Sequence, residues 1–541
     1  MRVGIGQINP HVGAIDRNTK RILTYVREAR DRACNLVVFP ELAVCGYAPL
    51  DLIWRPGYVA ACEEAVESIR AASEGLGVIV GTITARPKRE AVNRYDLSSL
   101  ADAAGIELFD AAVLIEDGRI LGYAEKIHLP CYDIFDEGRY FTPGPGTEVF
   151  PLGGRSIGVN ICEDLWVDGG PTELQASLGA EWIVNLSASP FYVGKPAIRR
   201  RLVQQRAREN GVGIVYINLV GAQDGVVFDG GSFAVGPDGT WQSEAPAFAE
   251  GLFVFDLAGP VPDGPGELGE IEQLRSALVL GIRDYVSKNG FGSVIVGLSG
   301  GIDSALVTAL AVEAVGPEQV TAVFLPSAYS SEASRADARE VAGRLSVELL
   351  EIPISGIHSA VREALPEPPT GLTDENLQPR IRATIWMALA NQRNALVLCA
   401  GNKSEIATGY NTLYGDTTGA LAPIADVYKT DVYRLAESFG DRIPKRVLDR
   451  PPAAELRPNH RDEDDLPPYR LLDPLLASLI EANRSRSELI AAGFDGELVD
   501  RILGRYYANE YKRRQLPPGI KVSPKAFGIG RRMPITNAYR E

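Results

Sequence analysis

The sequence predicts a two-domain α/β protein: mixed strands and hairpins with helices packed outside, then a second domain built on a doubly wound parallel sheet. Three observations predict it. The chain has 541 residues, whereas a single hydrophobic core stops growing near ~250–300. The segment Leu257-Ala258-Gly259-Pro260-Val261-Pro262-Asp263-Gly264-Pro265-Gly266 is dense in Pro and Gly without apolar periodicity, as in a linker. After it, strand-like runs alternate with helical ones; before it, hairpin turns punctuate the strands. The expected divisions are 1–256 for the first domain, 257–270 for the linker and 271–541 for the second.

In the first domain, strand Val3–Gln7 leads into a helix over Asp16–Ala33, with Asp16 as N-cap. Strands follow at Leu36–Phe39, Val78–Ile83, Ala111–Ile115, Ile120–Tyr123, Ile157–Ile161, Trp182–Leu186 and Ile214–Val220. Asp117-Gly118 and Pro237-Asp238-Gly239 read as hairpin turns. In the second domain, a helix over Ile271–Ser287 precedes strand Ser293–Gly297, a glycine loop and a helix from about Ser304. Strands Val320–Leu325, Val347–Ile352 and Ala395–Leu398 then alternate with helices. A sheet of this kind binds ligands at the carboxyl ends of its strands.

Composition narrows the function. The chain is 45% hydrophobic and 23% charged, which places it among folded globular proteins. A net charge of −15 spread along the chain argues against nucleic-acid and anionic-membrane partners and for small-molecule substrates. No run approaches the ~18 apolar residues of a membrane span, and no signal core follows Met1, so a cytoplasmic location is expected. Cys34, Cys45, Cys62, Cys131, Cys162 and Cys399 show neither CxxC pairs nor Cys/His metal spacing. Each is core filler or nucleophile.

The strand ending at Gly297-Leu298 runs into Ser299-Gly300-Gly301-Ile302-Asp303-Ser304. Glycines let backbone approach an anion closely, and the following helix points its free N–H groups at it. Ser299 and Ser304 supply hydroxyl donors, and Asp303 can reach a magnesium ion on the phosphates. The loop is not GxxxxGK[ST]. It resembles the SGGxDS loop of the ATP pyrophosphatases, which cleave ATP to AMP and pyrophosphate while adenylating a substrate. A tight strand-to-helix turn is the competing reading. Glu405, in Gly401-Asn402-Lys403-Ser404-Glu405 after another strand, would join Asp303 as a Mg²⁺ ligand.

Glu41, Lys126 and Cys162 each stand just past a strand of the first domain. A thiol with an ordinary pKa of ~8.5 needs a base or a cation beside it to attack at neutral pH. Glu41 could take the proton and Lys126 could stabilise an oxyanion. Phe39-Pro40-Glu41-Leu42, Lys126-Ile127-His128-Leu129-Pro130 and Asn160-Ile161-Cys162-Glu163-Asp164 resemble the nitrilase/amidase family, whose Glu-Lys-Cys triad lies in an α-β-β-α sandwich. Other glutaminase types do not fit: residue 2 is Arg rather than a nucleophilic Cys, and none of the four histidines begins a His-x-Glu dyad.

A glutaminase joined to an adenylating domain implies that ammonia made in one attacks an activated carboxyl in the other. Thr373-Asp374-Glu375-Asn376-Leu377-Gln378-Pro379-Arg380-Ile381-Arg382, Leu413-Tyr414-Gly415-Asp416, Asp426-Val427-Tyr428-Lys429-Thr430 and Pro517-Pro518-Gly519-Ile520-Lys521 carry the resemblance further. With the ending Lys525-Ala526-Phe527-Gly528 through Arg531-Arg532-Met533-Pro534-Ile535, nearly the whole chain resembles the glutamine-dependent NAD⁺ synthetase family. The resemblance implies a nitrilase-like sandwich followed by a Rossmann-like ATP pyrophosphatase domain. It implies amidation of nicotinate adenine dinucleotide to NAD⁺, with ATP as cosubstrate, Mg²⁺ and glutamine.

By that resemblance Tyr132, Ser189 and Lys195 would hold glutamine and Glu137 would support the triad. Gly297 through Ser304, with Ala400 and Lys429, would hold ATP; Asn376, Arg380, Glu405 and Lys521 would contact the dinucleotide. The bland counterparts are solvated helix charges for Arg380 and Lys429 and a core-edge aromatic for Tyr132. Two departures stand out: Ala400 replaces a frequent Thr, removing a hydroxyl contact to ATP, and Ile529-Gly530 replaces a usual Arg-Asp. A homodimer or larger homo-oligomer is also implied. The alternatives are an amidotransferase of the same chemistry on another acceptor, and a regulatory protein with spent catalytic machinery, against which the intact Glu41, Lys126, Cys162 and Asp303 speak.

Overall fold

The computed structural model describes residues 1–55, 57–87, 105–259, 266, 268–458 and 461–539. Positions 260–265 and 267 of the expected linker lie outside the described residues. The chain forms two compact units: Met1–Gln223 with Val227–Leu268, and Asp224–Val226 with Gly269–Glu541.

The first unit contains β1 (Arg2–Gln7), β2 (Leu36–Val38), β3 (Gly77–Pro87), β4 (Ile106–Glu116), β5 (Arg119–Glu125), β6 (Val149–Leu152) and β7 (Arg155–Ile161). Then come β8 (Trp182–Ser187), β9 (Gly213–Asn218), β10 (Val220–Gln223), β11 (Val226–Asp229), β12 (Phe233–Val235), β13 (Trp241–Glu244) and β14 (Gly251–Asp256). Two six-stranded sheets result, ordered β14-β1-β2-β3-β4-β5 and β13-β12-β9-β8-β7-β6. Each has a parallel centre, β1-β2-β3 in one and β9-β8-β7 in the other, flanked by antiparallel strands.

Side chains alternate across a strand, so each sheet has one face for the other sheet and one for helices. Val3, Ile5, Val38, Ala112 and Leu114 pack with Val159, Ile161, Val184, Leu186 and Ile217 in one apolar layer. Outside, helix Ile15–Asp31 lays the Ala29 methyl against β1, where a Cβ on Gly4 would meet it at 3.3 Å. Helix Lys195–Asn210 covers the other sheet through Val203 and Ala207 on Ile183, Ile214 and Tyr216. This is the α-β-β-α sandwich.

Two local expectations are corrected. Asp16 does not cap its helix: the helix starts at Ile15 after Ala14, and Asp16 sits in the first turn, where its charge suits the helix dipole. The run Ile214–Val220 breaks at Leu219, whose N–H bonds Ser187 O while Val220 begins the separate β10-β11 hairpin. The Asp117-Gly118 turn does join β4 to β5, with φ of 47° and 72° at its two residues.

The second unit is built on β15 (Val294–Gly297), β16 (Val320–Phe324), β17 (Glu348–Glu351) and β18 (Leu396–Leu398). All neighbours are parallel, in the order β17-β16-β15-β18. Helix Ile302–Val315 packs on β15 and β16 with helix Glu270–Lys288 beside it. Helix Leu372–Arg393 sets Ile381 and Ala390 among Ile295, Val323 and Val397. The strand order reverses between β15 and β18, so the loops leaving those two strands open a crevice at the carboxyl edge. Among the described residues no helix is long and apolar enough to cross a membrane.

Candidate active sites

In the first unit Glu41 follows β2, Lys126 follows β5 and Cys162 follows β7. The structure brings the segments together. Lys126 Nζ lies 2.5 Å from Glu41 Oε1, 2.8 Å from Glu137 Oε1 and 3.7 Å from Asp110 Oδ2. None of these five residues is more than 4% exposed. Oxygens of Glu41, Asp110 and Glu137 lie within 4.8 Å of one another, a set able to hold a metal, but the Lys126 ammonium stands among them. Tyr47 OH donates to Glu137 (2.8 Å), and the Ala188 N–H donates to Glu41 Oε2 (2.5 Å).

These surroundings set the charges. Burial alone would lower the pKa of Lys126, but Glu137, Glu41 and their neighbours outweigh it and hold the side chain as ammonium. Burial pushes the Cys162 thiol well up, with Glu41 adding and Lys126 opposing, so the resting sulfur keeps its proton. Burial raises Glu137 to about 7 against the pull of Lys126.

Cys162 itself has φ of 46°, an uncommon conformation for a non-glycine residue, and opens the 3₁₀ turn Cys162–Leu165. Asp164 fixes this turn. Its carboxylate accepts from Ile161 N (3.1 Å), Ile127 N (3.2 Å) and His128 N (2.8 Å), tying the turn to the segment that carries Lys126. Burial still lifts Asp164 to about 6.

Two of the three residues expected to hold glutamine border the same turn. Tyr132 is exposed and its OH donates to Glu163 Oε2 at 2.8 Å. Lys195 begins helix Lys195–Asn210 and places Nζ over the rings of Trp166 (4.5 Å) and Tyr192 (5.2 Å), while burial and Arg199 lower its pKa. Ser189 is buried behind them, its Oγ 3.5 Å from Arg199 Nη2, and Arg199 forks onto Asp229 at 3.0 Å on both arms. Sequence reasoning missed Asp110, Asp164 and Tyr47. The signal for Asp110 was present: an acid whose neighbours on its face of the strand, Leu108, Ala112 and Leu114, are apolar.

In the second unit the loop after β15 faces the loop after β18. The described cavity of about 280 Å³ is lined by Gly297, Leu298, Ser299, Gly301, Ile302, Asp303 and Ser304 from one side and Ala400, Glu405 and Lys429 from the other. Gly300 has φ of 86°, and a Cβ there would lie 2.3 Å from Ser334 O. Ser304 Oγ accepts from Ser299 N (3.1 Å) and donates to Gly301 O (2.9 Å), holding the loop closed. Gly301, as N-cap, offers no side chain to the first turn of helix Ile302–Val315, which leaves its N–H groups for an anion.

Asp303 Oδ1 accepts from Asn402 Nδ2 (2.9 Å), and its Oδ2 meets Lys429 Nζ at 2.5 Å. Glu405 Oε1 is 3.6 Å from the same ammonium. Burial first, then the Asp303 charge, lift Glu405 to about 8 despite Lys429, so one lysine does not balance the pair. Lys403 is wholly buried and holds the C-terminal segment, with Nζ near Asp426 Oδ1 (2.9 Å), Glu481 Oε1 (3.0 Å), Ser523 Oγ (2.6 Å) and Lys525 O (3.0 Å).

Asn376, Arg380 and Lys521 are not among the residues lining this cavity. Asn376 Oδ1 accepts from Thr412 Oγ1 (2.8 Å), exposed Arg380 donates to Leu413 O (3.2 Å), and buried Lys521 donates to Ser523 O and Pro524 O (2.8 Å each). Arg382 and Trp386 do line it, from the same helix as Pro379. Their i, i+3, i+7 spacing was the overlooked signal. Arg382 Nε donates to Leu325 O at 2.9 Å, and burial lowers its pKa to about 10.

Comparison with known proteins agrees with both halves. A carbon-nitrogen hydrolase family model matches residues 2–259, and an NAD synthase model matches residues 274–517. The glutamine-dependent NAD(+) synthetase of Synechocystis sp. is 42% identical over 99% of this chain and 99% of its own. Among solved structures, the glutamine-dependent NAD⁺ synthetase of Acinetobacter baumannii in complex with ADP is 35% identical, covers 99% of this chain and 98% of its own, and has a TM-score of 0.75. That of Cytophaga hutchinsonii, 22% identical over 99% of this chain and 98% of its own, shares the fold with a TM-score of 0.84. With two family models and full-length relatives matching a chain that carries both sites, the chain belongs to the glutamine-dependent NAD(+) synthetase family.

Proposed function

We propose that the chain amidates nicotinate adenine dinucleotide to NAD⁺, using ATP and the side-chain nitrogen of glutamine and releasing AMP, diphosphate and glutamate. The observation that carries the glutaminase half is the buried meeting of Glu41, Lys126 and the strained Cys162 turn. Glu41 takes the thiol proton as Cys162 Sγ attacks the amide carbonyl, because burial keeps the resting thiol protonated. The Lys126 ammonium faces the charge that develops on oxygen. Glu41 returns the proton to the departing ammonia, and water, deprotonated by the same carboxylate, hydrolyses the thioester to glutamate. Tyr132, Ser189 and Lys195 are assigned to the glutamine pocket, with the Lys195 ammonium suited to the α-carboxylate.

In the second unit the phosphate cradle is the Ser299–Ser304 loop with the open helix start behind it and Lys429 opposite. The nicotinate carboxylate oxygen attacks the α-phosphorus, diphosphate leaves, and ammonia displaces AMP from the adenylate. Asp303 and Glu405 fit a magnesium ion: two adjacent carboxylates that one lysine leaves under-compensated are a donor set such a cation prefers. Bound there, it would neutralise phosphate charge and leave Lys429 for the leaving diphosphate. Asn376, Arg380, Glu405 and Lys521 are assigned to the dinucleotide; Glu405 lines the phosphate cavity, and the other three, which do not, are left for the second substrate. Domain limits at 1–256 and 271–541, a cytoplasmic location and a homo-oligomeric state complete the reading.

The test is product identification by mass after incubating the purified chain with nicotinate adenine dinucleotide, Mg-ATP and amide-¹⁵N glutamine. The label should appear in NAD⁺. Cys162→Ala should lose this reaction and keep synthesis with added ammonium. Absence of NAD⁺ with either nitrogen donor overturns the assignment, and unchanged glutamine-driven synthesis by Cys162→Ala removes the thiol from it.

A further inference from the structure

Three carboxyls surround Lys126, and the donors reaching them are unequal. Glu41 receives Lys126 on one oxygen and the Ala188 N–H on the other. Glu137 receives Lys126 and the Tyr47 hydroxyl. Asp110 receives none: both its oxygens are buried without a donor, and the ammonium at 3.7 Å is beyond hydrogen-bonding distance.

The position of Asp110 explains why water does not help. It sits on β4 two residues before Ala112 and four before Leu114, on the face that packs against the second sheet, and is 1% exposed. An ionised carboxylate without a donor is strongly disfavoured in that layer, and the ordinary escape is to take up a proton. A protonated carboxyl is a donor. The groups that face it are Glu41 after β2, Cys45 in the loop beyond, Lys126 after β5, and Glu137 on the turn Glu137–Arg139. Of these Glu41 is the carboxylate an Asp110 proton would be shared with: oxygens of the two groups lie within 4.8 Å of each other, and Glu41 is the closest contact of Lys126.

We propose that Asp110 is a neutral carboxylic acid that donates its O–H to Glu41, acting as a positioning residue for the general base of the glutaminase. Glu41 then has three donors, from Lys126, Ala188 N and Asp110, which together fix the plane of its carboxylate toward the Cys162 turn. Burial and the nearby charge of Glu41 both favour the protonated form of Asp110. The proposal rests on the assignment of Glu41 as base.

Infrared difference spectra of the full chain, wild type minus Asp110→Asn at neutral pH, should show one band in the protonated-carboxyl carbonyl region. An ionised Asp110 would give only a carboxylate band and overturns the proposal without any activity measurement. Kinetically, Asp110→Leu should lower kcat for glutamine-driven synthesis at least about tenfold, with KM for glutamine within about threefold. Asp110→Asn, which keeps a donor and the shape, should restore most of that loss. Ammonium-driven synthesis in the same preparations shows that the chain has folded. Equal damage from Asn and Leu, or none from Leu, overturns the proposal. A Glu41→Gln control separates the premises: full glutamine-driven activity there refutes Glu41 as base, whatever Asp110 does.

Discussion

Gly300→Ala tests the phosphate loop most directly. The added Cβ would lie 2.3 Å from Ser334 O and 3.0 Å from Ser334 C and Cα, all backbone atoms, where ordinary contact begins near 3.4 Å. Roughly an ångström must come from displacing either the loop or the start of helix Glu332–Leu345. The left-handed φ of 86° adds roughly 1–2 kcal/mol for a residue with a Cβ, and overpacking adds typically about 1–3. Together about 2–5 kcal/mol opposes the conformation that offers N–H groups to phosphate. At 1.36 kcal/mol per decade, kcat/KM for ATP should fall about 30-fold or more. The assay is ammonium-driven NAD⁺ formation against ATP concentration, with a thermal melt to confirm that the variant is folded. A folded variant with kcat/KM for ATP within threefold of wild type would refute the argument that this backbone shape makes the site.

Three other outcomes are expected. Lys126→Met leaves Glu41 and Glu137 without their shared cation and should cost about 3–5 kcal/mol near neutral pH, less in acid as the carboxyls take up protons, measured by urea unfolding at several pH values. Glu405, raised to about 8 in the fold, contributes proton-linked stability that is complete below its unfolded pKa and is lost as pH rises to about 8. Replacing it by Gln should therefore raise the melting temperature relative to wild type more at about pH 8.5 than at about pH 5, and a constant gap would contradict this. Lys403→Met leaves Asp426 buried without its close cation and frees the Ser523–Lys525 segment, so about 3–5 kcal/mol of stability should go and early proteolysis should move to residues after 520.

The legible parts of the sequence were those in which local pattern and chemistry coincide. Short, nearly continuous apolar runs located the strands around Val3–Gln7, Ile157–Ile161 and Trp182–Leu186 because each is buried on both faces in the sandwich. Glu41, Lys126 and Cys162 could be paired because strand ends converge, and Ser299 through Ser304 because its glycines answer a backbone need. What escaped reading depends on relations across the sheet. Asp110 stands out locally only as an acid on an apolar strand face, and its role appears once Lys126 and Glu41 arrive from other strands; Arg382 shares its helix face with Pro379 and Trp386, but only the fold turns that face to the cavity. β9 stops at Asn218 because, one bond beyond the ladder, the Val220 N–H turns away to Ile8 O in a distant segment. Asp16 failed as a cap for a local reason, since the chain turned helical one residue before it.

The single carboxylate of Asp164 holds the backbone of Ile161, Ile127 and His128 at once, so nucleophile and ammonium are carried on one rivet rather than on two independent strand ends. A thermal displacement of either strand drags the other with it, and the pair drifts in common while its internal spacing is kept. Tolerance to motion is thereby separated from tolerance to misalignment: in the proposed reaction the Cys162 sulfur and the Lys126 ammonium would meet the same carbonyl even when the segments that carry them shift together.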